Sequence, residues 1–586
     1  MIVAEILFPL ALPLPLRYRL TPDQSVWAKP GVFVRAPLGN RTLLGIIAST
    51  SSQEERIEPE HTEKFKFVTS LETHFFAISS KRLSLWKWIS DYYLCSPGEV
   101  MKAAVSSHPP IIADLDDSVM STPSLPTLTP EQLSAYKEMQ PHIAAGNVVL
   151  LQADRQRTNL YLYLLQQTLS SGKNALLLIP ELGAGEQQYR YIQTCFDRRV
   201  FLFHSQLTPA KRRKTLQDVA NQTTPFIVVG SRSALLFIDY KELGLIIIDE
   251  EQDHSFKQND PAPRFHARDL ALFMGRLYRA PVVLGSSCPS LESEYNVHAG
   301  RYHSVLLSSS TFSPPKIEMV DTLRLSKKKQ MYGLISKHLF EALNHCLTQK
   351  KQALLFSSKD ELLRQQLQLH FPDARIVSLH DFSNLQKRHN QLLQFKNKES
   401  DILIGSPTLH KNLDFGQVAL TAILDVDPQL SRQDFRAHER TYQTLTALAA
   451  WAPLLILQTD QPDHPLYGFL QKNNLQDFVR EQLAERKNFH YPPFVRLVAI
   501  RFKHKRPEAA LNAAEAFGRE LPSMGIKNFS GPFIPRQNPE SAYNCQLLWI
   551  PLERHPNSEL VKQALYQKVL GYKFSGGFIQ IDVDPY

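Results

Sequence analysis

The residues best placed to do chemistry in this 586-residue chain are one acidic cluster, Asp249-Glu250-Glu251-Gln252-Asp253, set directly after the apolar run Leu245-Ile246-Ile247-Ile248. In a doubly wound sheet ligands gather at the carboxyl ends of the strands, so carboxylates there can meet a phosphate-bound cation. Asp249 and Glu250 are the first two carboxylates past the strand end. An acidic cluster after a strand can also simply open a loop, and the surroundings must decide. Immediately downstream, residues 254–269 read HSFKQNDPAPRFHARD. Phe256 and Phe265 offer faces for base stacking there, while Lys257, Arg264 and Arg268 can meet phosphates. The plainer alternative is that both rings pack and the cations are solvated. A second basic stretch holds Arg496, Arg501, Lys503, Lys505 and Arg506.

Something must position these groups, and the pattern of apolar runs shows what. Residues 1–105 alternate short β-type runs, such as Gly31-Val32-Phe33-Val34-Arg35 and Leu43-Leu44-Gly45-Ile46-Ile47, with turn residues, and end in a helical stretch around 84–93. That is a small β-rich domain. Residues 106–126 are rich in Ser, Pro and Asp without periodicity and read as a linker. From 127 to 305, near-continuous apolar runs at 148–151, 175–179, 226–229, 245–248 and 282–284 have the character of strands buried on both faces. Runs at 353–356, 402–404, 420–424 and 454–457 repeat the design in residues 306–470, giving two α/β lobes in tandem. Residues 471–586 form a further α+β unit.

Bulk numbers agree with several ordinary domains. Hydrophobic residues make up 43% and charged residues 21%, values that exclude extensive disorder. The formal charge of +9 favours a polyanionic partner, because cations set against phosphates release condensed counterions. The five cysteines, Cys95, Cys195, Cys288, Cys346 and Cys545, lie far apart, so neither a zinc ribbon nor a disulfide framework is readable. The opening stretch MIVAEILFPLALPLPLRYRL has no basic region before its apolar residues and is interrupted by proline. It reads as strand and turn, not a signal peptide. No run approaches the length of a membrane span, and a cytoplasmic protein is expected.

Two segments flank the acidic box: Gly230-Ser231-Arg232-Ser233-Ala234-Leu235 upstream, and Gly285-Ser286-Ser287-Cys288-Pro289-Ser290-Leu291-Glu292-Ser293 downstream. In order and spacing they resemble the GTRSA and GSATPSLES segments around the DEEHD form of the Walker B box in the PriA family (primosomal protein N′). The resemblance implies that Asp249 would hold Mg²⁺ through water and Glu250 would orient the hydrolytic water. Further matches are Leu177-Leu178-Ile179-Pro180-Glu181, Phe203-His204-Ser205, Leu413-Asp414-Phe415, Asp434-Phe435-Arg436-Ala437-His438-Glu439-Arg440, Tyr491-Pro492-Pro493-Phe494, Gly531-Pro532 and Ile581-Asp582-Val583-Asp584-Pro585. On these motifs the chain is identified as a shortened and degenerate member of that family. The resemblance implies a multidomain α/β protein with two RecA-like helicase lobes of superfamily 2, an N-terminal β-rich DNA-binding domain and a C-terminal α+β domain. It also implies a place in primosome-linked replication restart, on forked or branched DNA with single-stranded regions, alongside other restart proteins. Residues 254–269 are similar to the family's aromatic-rich loop, which couples DNA binding to ATP hydrolysis.

The chain departs from the family wherever a phosphate should be held. After strand 148–151 the family has LLxGVTGSGKTEVYL. Here the chain reads Leu150-Leu151-Gln152-Ala153-Asp154-Arg155-Gln156-Arg157-Thr158-Asn159-Leu160-Tyr161. No loop glycine remains, Asn159 stands in the lysine position and Leu160 replaces the Mg²⁺-binding hydroxyl, so the backbone cannot easily wrap a phosphate. Gly172-Lys173-Asn174 precedes a strand and is a helix-end turn, not a substitute. Where the second lobe should carry QVAGRAGR with its arginine finger, the chain has Ala447-Leu448-Ala449-Ala450-Trp451-Ala452-Pro453. Asp249 and Glu250 are therefore expected to be a vestigial pair, with no ATP hydrolysis and no cofactor.

The eight zinc-binding cysteines of the family do not occur, so no zinc is expected. The linker after 106 is too short for the family's winged helix. Leu16-Arg17-Tyr18 matches only the Tyr of the aromatic-x-Tyr pattern in the family's 3′-end pocket. The leading expectation is a DNA-binding, ATPase-deficient protein. One alternative is an active 3′ to 5′ DNA helicase using ATP and Mg²⁺; the other is a structural paralogue that binds replication proteins.

Overall fold

The computed structural model describes residues 2–51, 65–105, 109–111, 125–153, 157–180, 184–307, 315–379, 385–406, 418–431, 434–535, 542–554 and 558–586. The apolar runs of the first lobe become a seven-stranded, wholly parallel sheet. Its spatial order is His303–Leu306, Val148–Gln152, Val282–Ser286, Leu243–Asp249, Asn174–Leu178, Ile227–Gly230 and Val200–Phe203. The second lobe is a six-stranded parallel sheet in the order Lys316–Asp321, Leu454–Thr459, Leu420–Ile423, Ala353–Phe356, Ile402–Gly405 and Ile376–Ser378. Helices connect successive strands wherever the link is described, as parallel pairing favours, and both faces of the inner strands are buried.

The N-terminal sheet is antiparallel, in the order Leu16–Arg19, Val3–Leu7, Arg41–Ser51, Phe33–Leu38 and Ser70–Leu71. Its helix Ser80–Tyr93, capped by the Ser79 side chain, ties it to the rest. Trp88 on that helix stacks on Phe273 of the lobe 1 helix Ala267–Tyr278, with centroids 4.4 Å apart and planes at 11°, and the Tyr92 hydroxyl donates to Asp584 at 3.2 Å. One hydrophobic core accordingly runs through Phe33 and Trp86, Leu176 and Ile246, and Val498 and Phe502.

The C-terminal sheet is antiparallel: Ser530–Phe533, Asn544–Glu553, Val495–His504 and Gly577–Val583. The chain remains with lobe 2 past the boundary at 470 that composition suggests. Phe478 of helix Leu475–Asn488 stacks on Tyr442 at 4.1 Å and belongs to the lobe 2 core. Among the described residues no helix is long and apolar enough to cross a membrane.

Candidate nucleotide and nucleic-acid sites

Asp249 ends the strand Leu243–Asp249, and Glu250 follows at a positive φ of 50° that turns the chain out of the sheet. Facing them is the start of helix Arg157–Ser170. The Arg157 guanidinium is buried between the two carboxylates: Nε donates to Asp249 Oδ1 at 2.9 Å, another nitrogen bonds Glu250 Oε1, and a third donates to the Ala153 carbonyl at 2.5 Å. One helical turn later, the Tyr161 hydroxyl donates to Asp249 Oδ1 at 2.9 Å. Gln252 donates to Glu250 at 2.6 Å and Gln188 to Asp249 at 3.4 Å. A side chain added at Gly285 would meet the Tyr161 hydroxyl at 1.8 Å, so the tyrosine fills the space beside the acidic box.

Burial pushes the Asp249 carboxyl up while the arginine opposes it, and the two carboxylates hold Arg157 firmly charged. These residues do not fit Mg²⁺-ATP. The carboxylate oxygens a hydrated cation would use are taken by a guanidinium and a phenol, Asn159 accepts from Tyr191 at 3.2 Å, and Leu160 lies in the lobe 1 core. Residues 154–156 of the would-be loop, like Glu181 and Leu413-Asp414-Phe415, lie outside the described residues. Ala447-Leu448-Ala449-Ala450 runs through the end of helix Ala437–Ala449 and its cap, with Leu448 and Ala449 in the lobe 2 core. Among the described residues no group of three or more His, Cys, Asp or Glu could hold a metal ion.

A second polar assembly joins the lobes. Glu292 of helix Leu291–His298 meets Arg436 at 2.7 Å and Arg486 at 3.2 Å. Glu439 meets Arg486 at 2.6 Å, Arg436 at 3.5 Å and the Leu291 N–H at 2.8 Å. The Tyr586 ring lies under Arg436 and its hydroxyl donates to the Gln252 carbonyl at 2.7 Å. Opposed charges pull Glu292 well below the usual carboxylate range despite its burial.

Glu294 is the exception, because its burial and the nearby Glu251 raise its carboxyl from 4.5 to about 7, against a 2.5 Å hydrogen bond from Gln152. The fold therefore disfavours its charge. Stability from this group is whole below about 4.5 and is lost as pH rises through about 7. Glu294→Gln is expected to stabilise the protein by about 2 kcal/mol at pH 8 and to change little at pH 5, measured by denaturant midpoint. A variant less stable than the parent at pH 8 contradicts this.

The loop at 254–269 differs from the sequence expectation. Phe256 and Phe265 are 1% and 0% exposed and sit in the core shared by the three regions, so neither ring offers a face to a base. Lys257 is buried on Asp582 at 2.8 Å and on the carbonyls of Arg264 and Val583. Arg268 is buried on Glu251 at 2.9 Å and on Ser290 at 2.5 Å. Arg264 pairs with Asp260 at 3.0 Å and donates to the Ile581 carbonyl at 3.2 Å. The loop closes on itself, with Lys257 bridged to His266, and docks on the C-terminal domain. Each expected phosphate contact is spent on an internal partner. Tyr18 of Leu16-Arg17-Tyr18 is likewise buried, its hydroxyl on the Pro37 carbonyl at 2.9 Å.

The basic stretch in strand Val495–His504 is more open. Arg496 is drawn to Asp584 and Arg501 to Asp582, each at 3.3 Å, whereas Lys505 and Arg506 are exposed. Lys503 lies 5.7 Å over the ring of Phe578, its cross-strand neighbour, which is 46% exposed and meets Tyr543 edge-on at 5.2 Å. The sequence reasoning missed both rings, and it missed Arg157 and Tyr161. The only signal for the latter was their spacing of four on a helix that had to face an acidic strand end.

Two parallel α/β lobes in tandem, with an acidic box at the carboxyl edge of the first and antiparallel domains at either end, define a multidomain α/β protein. Residues 5–106 match the model of the PriA 3′DNA-binding domain, and residues 487–586 that of the primosomal protein N C-terminal domain. The replication restart protein PriA of Rickettsia felis is 27% identical, covering 90% of this chain and 91% of that protein. The replication restart protein PriA of Haemophilus influenzae is 29% identical, covering 78% and 72%. Among solved structures, RecG bound to a three-way DNA junction is 14% identical with a TM-score of 0.42, covering 61% of this chain and 47%, about half, of that one. S. cerevisiae Dbp5 bound to RNA and ADP BeF3 is 13% identical with a TM-score of 0.41, covering 61% and 97%. The chain is thus similar over most of its length to the replication restart proteins PriA, and its two end regions match domain models of that family.

Proposed function

We propose that this protein acts in DNA replication restart by binding forked or branched DNA without hydrolysing ATP. The observation that carries the second half is the Arg157 guanidinium seated on Asp249 and Glu250 where a nucleotide-bound cation would have to bind. On this reading the protein needs neither Mg²⁺-ATP nor zinc, and Asp249 and Glu250 serve as partners for Arg157. The match of residues 5–106 to a 3′DNA-binding domain and the net charge of +9 support the DNA partner. Within the C-terminal domain, Lys503, Lys505 and the less available Arg501 would meet phosphates, with Phe578 as a stacking face. Other restart proteins are proposed as partners through this similarity.

The test is fork binding over a salt series, with and without Mg²⁺-ATP. Affinity is expected to be the same in both. Lys503→Ala and Lys505→Ala are each expected to lower the salt slope by about one unit, and Phe578→Ala to cost about 1–3 kcal/mol on single-stranded DNA only. An affinity that changes tenfold with ATP contradicts the nucleotide-free reading, and no fork binding at all contradicts the DNA reading.

A further inference from the structure

Helix Pro209–Ala220 carries the run Lys211-Arg212-Arg213-Lys214. Its inner side is fixed by Leu216 and Val219, which line a cavity with Phe76 and Ile78 of the N-terminal domain, and by Gln217, which exchanges hydrogen bonds of 2.8 and 2.6 Å with the Ile111 backbone. Arg212 folds back, donating to the Ser205 carbonyl at 2.6 Å with its guanidinium 5.6 Å over Phe237. Lys211, Arg213 and Lys214 are exposed, and no described carboxylate pairs with them. Asp218 is the one acid of the helix.

Four other surface helices differ. Lys87 pairs with Asp91, Lys337 with Glu341, Arg480 with Asp477 and Arg519 with Glu515, each within its own helix. Like charges crowded on one turn repel, so local helix stability does not explain the run.

Its place in the fold does suggest a use. The helix follows Val200–Phe203, the outermost strand of the parallel lobe 1 sheet, and so begins at the same carboxyl edge that carries Asp249 and the Gly230–Ser233 turn. The positive end of the helix dipole lies in this same turn. The ring of Phe237 is covered by Arg212, leaving cations without a stacking face, a combination that reads phosphates and not bases.

We propose that Lys211, Arg213 and Lys214 form a phosphate-binding surface for a duplex arm of branched DNA, on a different domain from the C-terminal sheet. This rests on the DNA-binding reading above and adds a second footprint, which lets one molecule hold two arms of a junction.

The test compares the parent with a variant carrying Lys211→Ala, Arg213→Ala and Lys214→Ala on blunt duplex, forked and single-stranded DNA over a salt series. The expected result is a salt slope lower by about two to three units on duplex and fork, with fork affinity down at least about tenfold and single-strand affinity unchanged. The melting temperature should not move, since the three side chains are exposed. A Lys211→Glu, Lys214→Glu variant should lose duplex binding more severely. Parent-like duplex slopes in both variants overturn this surface and leave the C-terminal reading standing. A parent that binds no DNA overturns both. Competition by poly-glutamate as effective as that by duplex DNA overturns the nucleic-acid partner in favour of an acidic protein.

Discussion

Glu439→Ala is expected to destabilise the protein by about 3–5 kcal/mol, the largest single-residue effect anticipated. Glu439 is buried and accepts from Arg486, Arg436 and the Leu291 N–H. Its removal leaves two buried guanidinium groups sharing Glu292 and strands a backbone donor. Breaking one partner of a buried ion pair costs far more than the pair contributes, because the remaining charge is left without compensation. Glu439→Gln keeps the acceptor for Leu291 and should lose less. Since Glu292 and Leu291 belong to lobe 1 and Glu439 to lobe 2, the loss should appear as separated lobe transitions in calorimetry, where a single free energy no longer describes unfolding. A Glu439→Ala protein that melts as one unit at the parent's temperature contradicts the assigned role of this network.

Arg157→Ala is expected to cost about 3 kcal/mol near neutral pH and less in mild acid. Without the guanidinium, the burial that already raises the Asp249 carboxyl is opposed only by the Tyr161 and Gln188 hydrogen bonds. The carboxyl's folded value rises further, so the loss is felt above that value and is relieved by protonation below it. Asp249→Asn should restore part of the loss in the double variant, because Arg157 and Asp249 are in direct contact and their effects cannot add. Equal losses at pH 5 and pH 8, or strict additivity, contradict the pairing.

What the sequence disclosed follows from how each element is buried. The inner strands of both lobes were legible as apolar runs because both of their faces are covered. The four strands the runs did not reveal, His303–Leu306, Val200–Phe203, Lys316–Asp321 and Ile376–Ser378, are the outer strands of the two parallel sheets. Three of the four mix polar residues among the apolar ones, and only Val200–Phe203 is wholly apolar, with its two middle residues half-buried.

At the acidic box the absence of glycine from Leu150 to Tyr161 was legible, but not which groups face the carboxylates. Arg157 and Tyr161 reach Asp249 only because the helix after the first strand faces the end of the strand two places away in the sheet. The aromatic-rich loop was misread for a similar reason. The groups that bury it, Tyr93, Asp582 and Val583, stand far from it in sequence, and nothing local distinguishes a ring held in a core from one offered to a base. The Lys503 and Phe578 pairing also depends on a register between distant strands.

The most direct test of the proposed ATP-independent action is phosphate release from Mg²⁺-ATP by the intact protein with saturating forked DNA. With Arg157 on the acidic box, release is expected at the rate of buffer alone, with or without DNA, and unchanged by Asp249→Asn. DNA-stimulated release that Asp249→Asn abolishes would contradict it, showing that Arg157 yields its place to a nucleotide.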